Sequence, residues 1–359
     1  MEVGIIGLPN VGKTTLFNVL TSGHAAVGNF PFTTKDKNVG VAILPDKRLE
    51  KLKEIYKPEK VTPALINFVD IAGLVKGASQ GLGLGNQFLA YIREVDALIQ
   101  VLRCFPDDKV VNTLNEVNPQ EEIEIVQTEL LLADLEQVER AIKKIEPKAK
   151  VGNQEAKENL SSLIEIKKEL EEGGPLKSVV FPEGIIAEHF LTAKPIIYLA
   201  NLAEKDLDSF SSHFGELEKY VLEKEKSQLL PLCVKLEEEI TELDPQEREK
   251  FRQELGEKSE YLEKVIWSTY YLLNLVTFFT VVGTEIRAWT IPQGTTAVKA
   301  AGKVHTDMEH GFIKAEIFNY QDLEKYGSEK ILHDKGLVRI EGKEYQISDG
   351  DIVHFRFHI

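Results

Sequence analysis

The residues best suited to chemistry stand at the start of the chain. Gly7-Leu8-Pro9-Asn10-Val11-Gly12-Lys13-Thr14 matches the spacing G-x4-G-K-[ST]. It lies between an apolar run at 3–6 and a helical pattern over 12–21, the context that gives this spacing its meaning. Each residue type has a task in gripping a phosphate chain. Gly7 and Gly12 let the backbone wrap closely around phosphate oxygens. The amides of Asn10, Val11, Gly12, Lys13, Thr14 and Thr15 then point inward at a helix N-terminus, whose dipole is positive. The Lys13 ammonium bridges β- and γ-phosphate oxygens, and the Thr14 hydroxyl is a ligand for Mg2+.

Two further elements extend this to a triphosphate. Asp70-Ile71-Ala72-Gly73 ends an apolar run at 65–69, so the Asp70 carboxylate can hold the water shell of Mg2+ and the Gly73 amide can reach the γ-phosphate. Gly77, Gly81, Gly83 and Gly85 follow, and that segment is expected to move. The motif NFPFTT at 29–34 supplies a threonine that closes on Mg2+ only while the γ-phosphate is present, an order–disorder switch. Thr34 is the preferred residue and Thr33 the alternative.

Such residues need a frame that places loops at strand ends. Short apolar runs at 3–6, 39–44, 65–69, 97–102, 195–200 and 229–232 alternate with helical spacing, which predicts a parallel sheet covered on both faces. At Asn118-Pro119 the pattern changes. Ile125, Leu132, Leu135, Val138 and Ile142 recur at helical spacing, and 160–170 repeats it after a polar break at Gly152-Asn153. Two long helices with a short connection predict an antiparallel hairpin, inserted at 118–190 into an α/β domain over 1–256. Residues 257–275 read as a connecting helix. From about 277 the pattern is mostly β (FFTVV, RAWTI, FIKAEIF, LVRI, EYQI, DIVHFRF), a small separate domain over 276–359.

Composition narrows the function. The 359 residues are 43% hydrophobic and 28% charged, which are globular values. Lys and Arg number 43 against 58 Asp and Glu, and a net charge of −15 excludes a generic polyanion binder. Cys104 and Cys233 are too few for a disulfide framework and read as buried thiols of a reducing compartment. The opening MEVGIIGLPN turns at glycine where a signal peptide would stay apolar. The longest apolar stretch, 271–282, is too short to cross a bilayer. A cytoplasmic protein with neither a membrane nor a DNA partner is expected.

GLPNVGKTTLFN, NFPFTT, DIAGLVKGAS and QFLAYIREVDA together resemble the Obg-type P-loop GTPases, specifically the YchF/Obg-like ATPase group, and the similarity runs over essentially the whole chain. The resemblance implies an α/β P-loop NTPase core of the Ras-like, Obg type. It also implies the inserted hairpin and, on RAWTI and AAGKVHTDMEHGFIKAEI, a C-terminal TGS domain of β-grasp fold.

Base choice follows from a departure. GTPases commonly read guanine with Asn-Lys-x-Asp at a strand end, and here the strand PIIYLA ends in Asn201-Leu202-Ala203-Glu204. Glu204 carries its carboxylate one methylene further out and displaces the bidentate grip on guanine. Leu202 replaces the lysine whose stem covers the base, while its backbone N–H and C=O can pair with adenine. Losing a buried bidentate contact changes selectivity by orders of magnitude, and the similar NxxE pattern of the YchF group goes with a preference for ATP. Val234, in Cys233-Val234-Lys235, stands where the family's last base-contacting loop lies.

Hydrolysis is less legible. Leu74 follows Gly73 where Ras-like enzymes place a glutamine. The resemblance to the hydrophobic-substituted subgroup implies slow intrinsic turnover. Some relatives carry a histidine in the loop after the fourth strand; the matching position is Asn112, whose amide can orient water but is no general base near neutral pH. Lys13, Gly73 and Asn112 are thus the catalytic candidates. In related P-loop proteins an asparagine at the Asn10 position helps hold K+ beside the phosphates; a plain turn residue is the equal alternative.

Partner sites must be local. Arg140, Lys143, Lys144, Lys148 and Lys150 stand with one acid, Glu146, at the expected hairpin tip, and the C-terminal segment adds Lys299, Lys303, His305, His310, Lys314, Arg339 and Arg356. Solvated surface charge explains each patch equally well by itself. The TGS resemblance, together with the ribosome association of YchF relatives, implies the large ribosomal subunit and its rRNA. The expected function is a ribosome-associated ATPase that hydrolyses ATP to ADP and phosphate with Mg2+ as a translation-linked or stress-linked switch. The alternatives are a GTPase of the same fold and a nucleotide-dependent regulatory binding protein whose hydrolysis is incidental.

Overall fold

A computed structural model describes residues 1–22, 38–71, 73, 84–106, 114, 116–174, 176, 181, 190–256 and 260–358. In chain order the first elements are β1 (Glu2–Ile6), α1 (Lys13–Thr21), β2 (Asn38–Ile43), α2 (Lys47–Tyr56), β3 (Lys60–Thr62), β4 (Leu65–Asp70), α3 (Leu84–Glu94) and β5 (Ala97–Cys104). Then come α4 (Pro119–Lys150), α5 (Gln154–Glu171), β6 (Ile196–Leu202), α6 (Phe210–Glu223), β7 (Leu229–Leu232), α7 (Val234–Glu242), α8 (Pro245–Leu255) and α9 (Tyr261–Leu272). The last are β8 (Leu275–Val282), β9 (Glu285–Pro292), α10 (Ala297–Val304), α11 (Thr306–His310), β10 (Phe312–Asn319), α12 (Tyr320–Tyr326), α13 (Glu329–Asp334), β11 (Arg339–Glu341) and β12 (Asp351–Phe357). They form two compact units, residues 1–41 with 67–269 and residues 42–66 with 270–359.

The first unit is built on a sheet of order β2-β4-β1-β5-β6-β7. β1 runs parallel to both β4 and β5, β5 parallel to β6, and β6 parallel to β7. Every residue of β5 and β6 is buried, as expected of central parallel strands covered on both faces. Because the strands are parallel, their C-terminal ends share one edge. The loop after β1, Asp70, Arg103-Cys104, Asn201-Leu202 and Cys233-Val234 all lie there, the edge where open α/β sheets bind ligands.

The hairpin of α4 and α5 is present, with α4 longer than the pattern suggested. Asn118 caps α4 by accepting from the Glu121 N–H, Pro119 fills the first turn, and the helix continues through Pro147. Its buried stripe also differs from the predicted one. Ile123, Val126 and Leu130 are buried near β5, while Leu132 is 39% exposed. Beyond them Leu135, Val138 and Ile142 pack with Leu163, Ile166 and Leu170 of α5. The helix changes neighbours along its length, so a single stripe cannot describe it. Among the described residues no helix is long and apolar enough to cross a membrane.

The second unit holds a mixed sheet of order β11-β10-β12-β8-β9-β3. Ala297, Ala300 and Ala301 of α10 pack on Phe278, Ile291, Ala315 and Val353. The EYQI segment is not a strand; it contributes one bridge, between Thr296 and Gln346. The larger difference is that residues 42–66 belong to this unit, whereas the sequence reading placed them in the domain over 1–256. β3 pairs in parallel with β9, Glu285 accepts from Lys60 and Thr62, and Arg48 of α2 bridges Asp46 and Asp349 with its guanidinium over Phe279. Apart from Arg48–Asp46, these pairs join positions more than two hundred residues apart, a separation that local periodicity cannot register.

Candidate functional site

At the end of β1 the chain turns through conformations that only certain residues tolerate. Gly7 has φ +144° and Gly12 φ +103°. A Cβ on Gly7 would lie 2.6 Å from the Val101 carbonyl oxygen, and one on Gly12 would lie 2.5 Å from Asn201 Nδ2. Asn10 takes φ +64°, a conformation asparagine accepts more readily than most residues. α1 then starts at Lys13, with Gly12 as a left-handed N-cap that offers no side-chain acceptor. The first-turn amides are thus left to whatever anion the turn encloses.

Lys13 is 7% exposed and its Nζ donates to the Leu8 carbonyl at 2.7 Å. Burial brings its pKa down to about 8, against the opposing fields of Asp70 and Glu122. Thr14 Oγ1 donates to Asp70 Oδ2 at 2.8 Å. That pairs a hydroxyl and a carboxylate oxygen, the hard donors that suit Mg2+. Gly73 lies close above the turn: a Cβ there would be 3.0 Å from Lys13 Nζ and 3.2 Å from the Pro9 nitrogen. Thr34, Leu74 and Asn112 lie outside the described residues.

A cleft of about 550 Å³ adjoins the turn, lined by Asn10, Gly12, Thr15, Phe105, Pro106, the run from Asn201 to Glu204, and Cys233, Val234 and Lys235. Asn201 is 5% exposed. Its Nδ2 donates to the Val11 carbonyl at 2.9 Å and its Oδ1 accepts from the Val234 N–H at 3.2 Å. It therefore ties the glycine turn, the end of β6 and the start of α7 together. Leu202 is buried at 2% exposure and also lines the cleft. Glu204 is exposed at the start of a short 3-10 turn.

Phe105 and Pro106 escaped the sequence reading. Phe105 follows β5 directly, and the Arg103 guanidinium stands 5.0 Å from its ring centroid while Arg103 Nε donates to its carbonyl at 3.2 Å. Its place immediately after an apolar strand of the central sheet was the available signal.

The family YchF-GTPase_C, described as a protein of unknown function, matches residues 275–358. MMR_HSR1, described as a 50S ribosome-binding GTPase, matches residues 2–145. The ribosome-binding ATPase YchF of Pasteurella multocida (strain Pm70) is 46% identical, over 100% of this chain and 99% of that protein. The chain belongs to the YchF family. A further YchF relative, the ribosome-binding ATPase of Bacillus subtilis (strain 168), is 42% identical over the full length of both chains. Among solved structures, the YchF GTPase of Schizosaccharomyces pombe matches with a TM-score of 0.86 at 36% identity, covering 99% of this chain and 97% of that one. The bacterial YchF proteins carry the word ATPase in their names and the Schizosaccharomyces pombe structure the word GTPase.

Proposed function

We propose that this protein is a ribosome-binding ATPase of the YchF family that hydrolyses ATP to ADP and phosphate. The observation that carries the reading is the joining of the glycine turn to the cleft through Asn201, which gives one site a phosphate end and a base end. The turn amides, Lys13 and the Gly73 amide are suited to a γ-phosphate and the charge that develops on it in the transition state. Asn10, Val11, Gly12 and Thr15 belong to the same phosphate end. Thr14 and Asp70, with Thr34, would hold Mg2+, which supplies charge neutralisation to the phosphates when bound. Asn112 is retained as the group that orients water, and Asn10 as a ligand for K+.

At the base end the Leu202 backbone offers one N–H and one C=O to adenine, with Val234 and Glu204 beside it. The names of the bacterial relatives support ATP over GTP. Phosphate release from Mg·ATP and Mg·GTP by the purified protein tests this: the reading expects ATP to be the better substrate, and faster GTP turnover overturns it.

For the partner, the hairpin tip is the suited surface. Lys143, Lys144 and Lys148 are exposed on the last turns of α4, Arg140 and Lys150 are exposed and pair with Glu136 and Glu146 of the same helix, and Val151 after them is 86% exposed. In the C-terminal unit, Lys314 and Arg356 both pair with Glu316, which leaves the TGS-like face less cationic than its sequence suggests. We therefore place rRNA of the large subunit at the tip, and the protein in the cytoplasm where ribosomes are. Cosedimentation with large subunits should weaken as salt rises and should fall when the tip lysines become alanine; equal pelleting of that variant excludes the tip.

A further inference from the structure

One wall of the cleft is braced by an arginine two residues back along the chain. Arg103 stands near the end of β5, a strand whose eight residues are all buried, and is itself 3% exposed. Arginine at a strand end ordinarily carries its charge out to water on a long stem. Here the side chain turns back on its own chain. Its Nε donates to the Phe105 carbonyl at 3.2 Å, and its guanidinium carbon stands over the Phe105 ring, 5.0 Å from the centroid. At that separation a cation is attracted to an aromatic face. One side chain thereby holds both the backbone and the ring of a residue that already lies beyond the strand.

The residue after Phe105 adds a third constraint, because Pro106 restricts the Phe105 backbone to extended conformations. Phe105 and Pro106 both line the cleft of about 550 Å³, with Arg103 behind them. In the sheet Arg103 pairs with Asn201, and Cys104 with Leu202, so the braced ring follows the strand end that lies beside the Asn201 tether. A flat ring held still at a cleft wall suits a flat heterocycle. Such a wall gives up little side-chain freedom when a base stacks on it.

We propose that Arg103 is a positioning residue for base binding: it clamps Phe105, by ring and by carbonyl, as a fixed stacking wall of the cleft. The proposal rests on the reading of this cleft as the base end of an ATP site. Arg103 acts through Phe105, so its effect on affinity exists only while the ring is present.

Two variants of Arg103, each made alone and together with Phe105→Ala, test it. Arg103→Met keeps an unbranched stem and removes the guanidinium; Arg103→Lys keeps a cation but neither the planar group nor the Nε donor. Thermal melts without nucleotide identify which variant is folded at the titration temperature. Calorimetric titration with Mg·ATP reports on both ends of the site, and with magnesium tripolyphosphate on the phosphate end alone. Either folded variant should weaken Mg·ATP by about fivefold and leave tripolyphosphate within about twofold of the wild type. In the Phe105→Ala background, where there is no ring to hold, the same change should cost less than about twofold. Unaltered Mg·ATP affinity in the folded Arg103 variant overturns the assignment and leaves the ATP reading intact. A loss as large in the Phe105→Ala background as in the wild type also overturns it, as does an equal loss for tripolyphosphate, because Arg103 then acts by another route. A wild-type protein that does not bind Mg·ATP overturns the ATP reading and this assignment with it.

Discussion

The two ends of the site are built differently. The proposed phosphate end is a single stretch, Gly7 to Thr14, that offers backbone amides and two side chains on one helical turn. The base end is assembled from three strand ends, with Phe105 after β5, Asn201-Leu202 at the close of β6 and Val234 at the start of α7. A site made of contiguous backbone can be recognised from spacing, because Gly7 and Gly12 are required by conformation. A site made from distant loops depends on register, and one side chain, Asn201, holds two of its parts to the turn. The lesson is that the motif defines what is gripped, and the tether defines where the grip meets the base.

Breaking the phosphate end should give the largest effect. Lys13→Ala removes the cation nearest Gly73 and should lower turnover by at least about a hundredfold, with the fold retained, as measured by phosphate release and a thermal melt. The tether comes next. Asn201→Ala leaves the buried Val11 carbonyl and Val234 N–H without partners and should cost about 2–4 kcal/mol of stability in denaturant unfolding, with loss of affinity for ATP. If both ends are independent, tripolyphosphate binding will survive that change; the account expects it to fall as well. Phe105→Ala sharpens the comparison in the other direction. It should weaken ATP roughly tenfold through lost stacking and leave tripolyphosphate unaltered by calorimetry. Gly73→Ala is the mildest. Its Cβ would crowd Lys13 Nζ and Pro9, so ATP should bind severalfold more weakly while ADP, which lacks the γ-phosphate, binds as before.

Legibility followed the same division. The alternation of apolar runs and helices predicted the parallel sheet, because β5 and β6 are buried throughout and read as continuous apolar runs. The hairpin was visible from Leu135, Val138 and Ile142, which do face α5, while Leu132 misled because the first half of α4 faces the sheet instead. Residues 42–66 could not be assigned to the C-terminal unit from pattern, since the Lys60–Glu285 and Arg48–Asp349 pairs are long-range charge contacts. At the site, Asn201 and Val234 were legible as neighbours of the base, but the Asn201 bonds to the Val11 carbonyl and the Val234 N–H join loops far apart in sequence and leave no local pattern.

The central claim is that one cleft, tied to the phosphate-binding turn by Asn201, accepts adenine. Competitive titration of the purified protein with ATP and GTP in the presence of magnesium tests it most directly. The account predicts ATP binding at least about tenfold tighter, a difference of about 1.4 kcal/mol. GTP binding as tightly as ATP, or more tightly, would contradict it.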